Sequence, residues 1–229
     1  MKTKQKMLTK PITAGFASIF YFKSVKDGIV PHLLDICRKS PYAESILLTE
    51  RVMSMTIRKA VASDIDDVAR SYEALFDYFD SHRDRTHWLR GTYPTRAVAE
   101  KGASEGWLYV LRDEDGTLLA SMLLNHNQDA EYALQPWRYA AAPGQVLVLH
   151  TLCVLPGHSR RGIGRKMVQF AQDLARSRGC TVMRFDTNID NIPASHLYEN
   201  MGFELVSTGK AMLNGILPVT LRYYEKKLD

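Results

Sequence analysis

The stretch Leu152-Cys153-Val154-Leu155-Pro156-Gly157-His158-Ser159-Arg160-Arg161-Gly162-Ile163-Gly164-Arg165-Lys166-Met167 reads as a strand, a tight turn and the opening of a helix. From Val146 on, Val146, Val148, Leu152 and Val154 alternate with other mostly apolar residues, the pattern of a buried strand. Pro156-Gly157 ends it. The helix that follows has an apolar face of Ile163, Met167, Phe170, Ala171 and Leu174, at spacings of three and four. Arg165, Lys166, Gln169, Gln172 and Asp173 fall on the other face. Two glycines and several cations at a helix N-terminus suit a phosphate. Free backbone N–H groups point outward there, the helix dipole favours an anion, and arginines add charge-assisted hydrogen bonds.

Three phosphate-binding patterns compete for these residues. Gly157 and Gly162 have the outer spacing of a P-loop, but Ile163 and Gly164 stand where Lys and Ser/Thr are required. Gly162 and Gly164 begin a dinucleotide fingerprint, but its third glycine position is Met167. The third pattern fits. Ser159-Arg160-Arg161-Gly162-Ile163-Gly164, after a Leu-x-Val strand, resembles the acyl-CoA-binding motif Gln/Arg-x-x-Gly-x-Gly/Ala of the GCN5-related N-acetyltransferase (GNAT) family, with Ser159 in place of Gln or Arg. A second motif lies downstream. Asn191-Ile192-Pro193-Ala194-Ser195-His196-Leu197-Tyr198-Glu199-Asn200-Met201-Gly202-Phe203 resembles the family's Asn-x-x-Ala-x-x-Leu-Tyr-x-x-x-Gly-Phe segment. Here Asn191 reads as a helix cap, Pro193 sits in the first turn and Gly202 ends the helix. Both motifs occur in order, separated by one helix and one strand.

The remaining elements read in the order β-α-α-β-β-β-α-β-α-β-β over residues 55–229. Thr56–Ala60 is a strand, and Ser63 with Asp66 is the expected cap of a helix faced by Ile65, Val68, Ala69, Tyr72, Leu75, Phe76 and Phe79. A shorter helix lies between Gly91 and Gly102. Trp107–Arg112 and Leu118–Leu124 flank an Asp-Gly turn at Asp115-Gly116. The order matches the fold that the resemblance implies: α/β (α+β), a central, mostly antiparallel twisted sheet flanked by helices, with two strands splayed at the acetyl-CoA site.

The resemblance also implies an activity: direct transfer of an acetyl group from acetyl-CoA to a primary amine. It places the pyrophosphate on Ser159, Arg160, Arg161, Gly162, Ile163, Gly164 and Arg165. The pantetheine arm falls along Leu152, Cys153 and Val154, and the Val154 N–H meets the thioester carbonyl. Asn191 and Ala194 are further cofactor contacts, and Tyr198 both touches the cofactor and protonates the leaving thiolate. His150 is the candidate base for the amine. Counting by twos along the strand puts it on the side of Leu152 and Val154, and His150-Thr151-Leu152-Cys153-Val154 resembles the corresponding strand of arylalkylamine N-acetyltransferases, where a His is implicated as a base. The other reading of His150 is a strand histidine simply hydrogen-bonded in place. Cys153 has no evident base partner and is not expected to be a nucleophile.

The connection Asn125–Gly144 is long for a compact domain, and such loops are usually functional or mobile. Its Asp129, Glu131, Tyr132, Trp137 and Tyr139 form an acidic and aromatic set that could hold a cationic amine, with Glu131, Tyr132 and Trp137 as candidate acceptor contacts. A solvated loop is the other reading. The segment Phe76–Trp88 is rich in aromatic residues; it reads as core and loop packing, or as the acceptor wall that the family builds there. Polyamines, amino acids, aminoglycosides, arylalkylamines and protein N-termini all stay open as acceptors, and so does a homodimer. The rival from another class is an acetyl-CoA-binding sensor or assembly module without catalysis.

Composition narrows the classes. A net charge of +5 hints at nucleic acid until it is located: residues 1–52 carry nine Lys/Arg and four Asp/Glu, which is the entire excess. The rest of the chain is neutral and lacks the basic footprint of a nucleic-acid binder. Three cysteines, Cys37, Cys153 and Cys180, have no C-x-x-C spacing, which points to a reduced, cytoplasmic protein. Seven histidines form no ligand cluster, so no metal is expected. Residues 1–54 fall outside the resemblance. Their apolar run, Ile12 to Phe22, follows four lysines and is too short to span a bilayer. Three readings stand for this extension: upstream sequence with the natural start at Met53 or Met55, a membrane-surface or partner-binding arm, or a packed subdomain. The first is preferred because the recognisable domain begins just after Met55.

Overall fold

The apolar runs of the sequence assemble into one twisted sheet. The structure, a computed structural model, describes residues 55–213, 215 and 217–229; the expectations for residues 1–54 lie outside these. The strands are β1 (Thr56–Lys59), β2 (Leu108–Arg112), β3 (Leu118–Asn125), β4 (Val146–Val154), β5 (Val182–Asn188), β6 (Glu204–Leu213) and β7 (Leu217–Lys227). The helices are α1 (Ile65–Ser81), α2 (Arg96–Ser104), α3 (Ile163–Ser177) and α4 (Ile192–Glu199). The sheet order is β1-β2-β3-β4-β5-β7-β6. Every neighbouring pair is antiparallel except β4 with β5. Element order and sheet type are those expected from the sequence.

The exceptional pair creates the cleft. β4 and β5 are in register only over Val146–Val148 and Val182–Arg184. Beyond that, β4 stays bonded to β3 as far as Val154, and β5 stays bonded to β7 as far as Asn188. The facing edges of both strands are therefore left with backbone donors and acceptors that no neighbouring strand satisfies, which must meet water or a ligand.

Three apolar clusters hold this frame. On one face, Leu147, Leu149, Met183 and Phe185 pack with Ile163, Met167 and Ala171 of α3. On the other, Val68, Tyr72 and Phe76 of α1 and Ala99 of α2 cover Leu108, Val110 and Leu123. A third cluster joins Val146 and Val148 to Tyr132 and Tyr223. Each fully buried side chain of this size stabilises the fold by roughly 1.5–3 kcal/mol relative to exposure. The apolar stripe expected for α3 is present, but Gln172 is buried with it: its Oε1 accepts from Lys226 Nζ at 2.7 Å.

The start of α1 differs from the expected cap. A 3-10 turn, Ala62–Asp64, precedes the helix, and Asp64, not Asp66, organises it. The Asp64 carboxylate is 2% exposed and accepts from Arg58, from Arg112 and from the Val61 backbone N–H at 2.6–3.0 Å. Burial alone would raise its pKa; the hydrogen bonds from Arg58, Val61 and Arg112 outweigh burial and hold it far below the usual carboxylate range.

The long connection from Asn125 to Gly144 is neither featureless nor loose. It contains two 3-10 segments, Ala130–Leu134 and Pro143–Gln145. Arg184 of β5 pins it from below, donating to Gln128 Oε1 at 2.9 Å and to the Tyr139 carbonyl at 2.7 Å.

Candidate active site

The cleft between the splayed strands has a volume of about 610 Å³. Its basic end is the N-terminus of α3. Gly162 caps that helix in the left-handed region at φ 74°, and a Cβ there would meet nothing within 4 Å. Glycine is needed for the backbone turn, and the space over it is open. At Gly164 a Cβ would lie 3.1 Å from Leu197 Cδ2, so α3 approaches α4 closely at this point. Arg160 is itself left-handed at φ 63°. Ser159, Arg160, Gly162, Ile163, Gly164 and Arg165 all line the cleft, with the unsatisfied N–H groups of the first helical turn among them. Arg161 does not line it and donates to His158 Nδ1 at 2.8 Å. The cradle suits a pyrophosphate in charge, in donor geometry and in open space.

Leu152, Cys153 and Val154 form one wall. The Leu155 N–H donates to the Leu119 carbonyl of β3 at 3.0 Å. Successive amides of a strand point to opposite edges, so the Val154 N–H points into the cleft. Cys153 is buried against α1, and burial pushes its thiol up to about 12. It is a packed, protonated thiol rather than a nucleophile.

A bulge divides β4 in two. Ser121 of β3 pairs with Cys153, but Leu123, two residues on, pairs with His150, three residues back. Thr151 absorbs the extra residue at φ 50°, an outlying conformation for a β-branched side chain. Tyr93 Oη and Thr151 Oγ1 share a hydrogen bond there. The bulge reverses the alternation: Val146 and Val148 face the Tyr132 cluster, whereas Leu152 and Val154 face α3. Counting by twos therefore misplaces His150. It keeps the side of Val146 and Val148, opposite Leu152 and Val154, and still lines the cleft.

The hydrogen bonds around His150 fit one tautomer. Asn125 Oδ1 accepts the Asn127 backbone N–H at 2.9 Å, so this atom is an acceptor, and His150 Nε2, 3.1 Å away, must donate to it. The neutral ring then carries its lone pair on Nδ1. Burial lowers the His150 pKa below the ordinary 6.5, while Asp129 and the Asn127 backbone pull it part of the way back. The ring is thus a neutral proton acceptor near pH 7.

The second wall comes from β5 and α4. Asn191 caps α4, its side chain accepting the Ala194 N–H at 3.4 Å. Asn191, Ala194 and Tyr198 line the cleft. The Tyr198 ring is packed at 4.2 Å, centroid to centroid, from Phe185. Burial raises its pKa well above 10, so the phenol is protonated at all neutral pH.

Asp186, near the end of β5, also lines the cleft, and sequence reasoning passed over it. Tyr132 Oη donates to its Oδ2 at 2.8 Å. Burial raises its pKa from 3.8 to about 6 against that bond, with Asp129 and Glu131 adding to the rise. Tyr132 itself is 2% exposed and packs edge-on to Tyr223; Trp137 stacks over Arg184 at 4.4 Å. Neither lines the cleft: Tyr132 is buried in the third apolar cluster, and the half-buried Trp137 packs against it. Glu131 lines a shallower neighbouring groove. The aromatic residues that line the cleft are Phe79 of α1 and Trp88 and Tyr93, whose rings meet edge-on at 6.0 Å.

Comparisons with known proteins agree with this architecture. A streptothricin acetyltransferase of Streptomyces lavendulae is 36% identical over 75 residues, which is 33% of this chain and 40% of that protein. The chain thus spans well under half the length of that relative. An uncharacterized N-acetyltransferase of Methanocaldococcus jannaschii is 25% identical over 186 residues, 80% of this chain and 75% of that one. The structure of yncA from Salmonella typhimurium, solved with acetyl-CoA, superposes with a TM-score of 0.55 at 21% identity, covering 77% of this chain and 95% of that one; it shares the fold. The model of the acetyltransferase (GNAT) family matches residues 68–203, more than half of the 229-residue chain. The protein belongs to the acetyltransferase (GNAT) family.

Proposed function

We propose that the protein transfers an acetyl group from acetyl-CoA directly to a primary amine. One observation carries the reading: a slot opened by the parting of β4 and β5 runs to a glycine-turned, arginine-lined helix N-terminus, with a protonated phenol and a neutral imidazole on its walls. The acyl donor supplies an activated thioester. The chain supplies the rest. The α3 cradle holds the pyrophosphate, and the open edge of β4 holds the pantetheine amides. The Val154 N–H stabilises charge developing on the thioester oxygen. His150 Nδ1 takes a proton from the amine as the C–N bond forms. The C–S bond then breaks, and Tyr198 gives the thiolate its proton. The relatives named as acetyltransferases are consistent with this chemistry. An acid and a base on opposite walls favour turnover over a sensor that only binds.

Binding of acetyl-CoA tests the placement of the site. It should raise the melting temperature, because a ligand of the native state alone stabilises it. Gly164→Glu puts a carboxylate and added bulk into the cradle and should abolish the rise. An undiminished rise in that variant would put the cofactor elsewhere.

A further inference from the structure

The cleft is electrically polarised. Its α3 end presents Arg160 and Arg165, while the opposite end presents Asp129 and Asp186 and no Lys or Arg among its lining residues. Neither aspartate has a cationic partner among the described residues. The two feel each other's charge, and Asp129 also acts on His150. Asp186 is partly buried and Asp129 exposed, and two carboxylates facing one cleft without a cation repel each other until a cation settles between them. The walls around them are Leu75, Phe79, Trp88 and Tyr93 on one side and Val219 and Leu221 on the other. These offer mainly apolar and aromatic surface and no cationic side chain that would pair with a second anion.

On the acetyl-transfer reading above, we infer that the acceptor is an amine carrying one ammonium on an apolar or aromatic body, with no carboxylate or phosphate beside the nitrogen. The ammonium lies between Asp129 and Asp186; it gives one proton to solvent to become the neutral amine, and His150 takes the second as the C–N bond forms. The body stacks on Trp88 and Phe79, where a cation beside an aromatic face gains further attraction. An acceptor with a carboxylate next to the amine would bring an anion against two anions, with no arginine to receive it. An extended polyamine such as spermidine would pair at most two of its ammonium groups with these two carboxylates and leave the remainder against Leu75, Val219 and Leu221.

The test compares four amines of stated chemistry by thiol release from acetyl-CoA: 2-phenylethylamine, phenylalanine, phenylalaninamide and spermidine. The full chain is used. Phenylethylamine should exceed phenylalanine in kcat/KM by roughly 10²–10⁴-fold, the discrimination a site gains when a competitor leaves charges unpaired. Phenylalaninamide, with the same body but no anion, should recover most of the loss, and spermidine should fall well below phenylethylamine. Asp129→Asn should raise KM for phenylethylamine about tenfold or more, while the thermal shift with acetyl-CoA stays as in the wild type. Preference for phenylalanine or spermidine overturns the inference. So does a protein that binds acetyl-CoA yet acetylates none of the four. Absence of an acetyl-CoA thermal shift would instead overturn the acetyl-transfer reading beneath it.

Discussion

Replacing His150 by alanine removes the group that, in this account, accepts the amine proton. A positioned acid–base group contributes about 10²–10⁴ in rate, or roughly 3–5 kcal/mol of barrier. The structure also fixes where the pH limb falls. The base must be neutral, so the wild-type rate should rise with pH through the His150 titration. Burial lowers that pKa, so the midpoint should lie below the ordinary 6.5. Removing an anion that favours the charged ring lowers the pKa further, so Asp129→Asn should move the limb to lower pH, not higher. His150→Gln keeps polarity and size but cannot accept the proton, and it should behave as alanine does. Asn125→Ala removes the acceptor that holds Nε2, 3.1 Å away, and should slow the rate less than His150→Ala while leaving a limb in place. The assay is kcat at saturating acetyl-CoA and amine from about pH 5.5 to 9, with acetyl-CoA affinity measured separately. Near-wild-type rates with an unchanged limb in both His150 variants would refute the assignment, as would an upward shift in Asp129→Asn.

Three other outcomes follow from the same geometry. Tyr198→Phe keeps the ring packed on Phe185 and loses only the phenolic proton, so kcat should fall by roughly 10²-fold or more while acetyl-CoA affinity barely changes; equal losses in both would make Tyr198 structural. Asp64→Ala takes one carboxylate from Arg112, which keeps Asp67, and leaves the Val61 N–H without its acceptor, and should cost about 1–3 kcal/mol in urea denaturation at pH 7; a loss under about 0.5 kcal/mol would contradict the role given to that cluster. Asp186 has a raised folded-state pKa, so its contribution is full below 3.8 and is lost as pH rises through about 6. The rise of about two units corresponds to roughly 3 kcal/mol. Asp186→Asn, which can still accept from Tyr132, should therefore flatten the fall of stability between pH 4 and 6 and leave the variant at least as stable as wild type at pH 7.

Much of the fold was legible because its elements have strong periods. The stripe Ile163, Met167, Ala171 and the apolar runs at Leu108–Arg112 and Leu118–Asn125 leave little choice of element. The cofactor end of the site was legible for a related reason: Gly162 marks a left-handed turn that few other residues allow, and Gly164 marks a close approach of two helices. The acceptor end was not. Thr151 carries no sequence mark of a bulge, so alternation ran past it and put His150 on the wrong side. Tyr132 and Trp137 sit in a connection without periodicity, where a buried aromatic and a ligand-facing one look alike; only their packing against Tyr223 and Arg184 separates the two. Asp186 did leave a signal, a carboxylate directly after the apolar strand residues Val182, Met183 and Phe185. Its meaning depends on the splay of β4 from β5, which opens the cleft that it lines together with Asp129 and His150.

The central claim is that this cleft moves an acetyl group from thioester to amine without stopping on the protein. Mass spectrometry of the reaction with isotopically labelled acetyl-CoA and 2-phenylethylamine tests it directly, reading the amine and the intact protein in the same sample. The account predicts that the amine gains one labelled acetyl group for each thiol released, that the protein gains none, and that Tyr198→Phe slows both appearances together. Thiol release with no acetylated amine, or label retained on Cys153 or any other side chain, would contradict it.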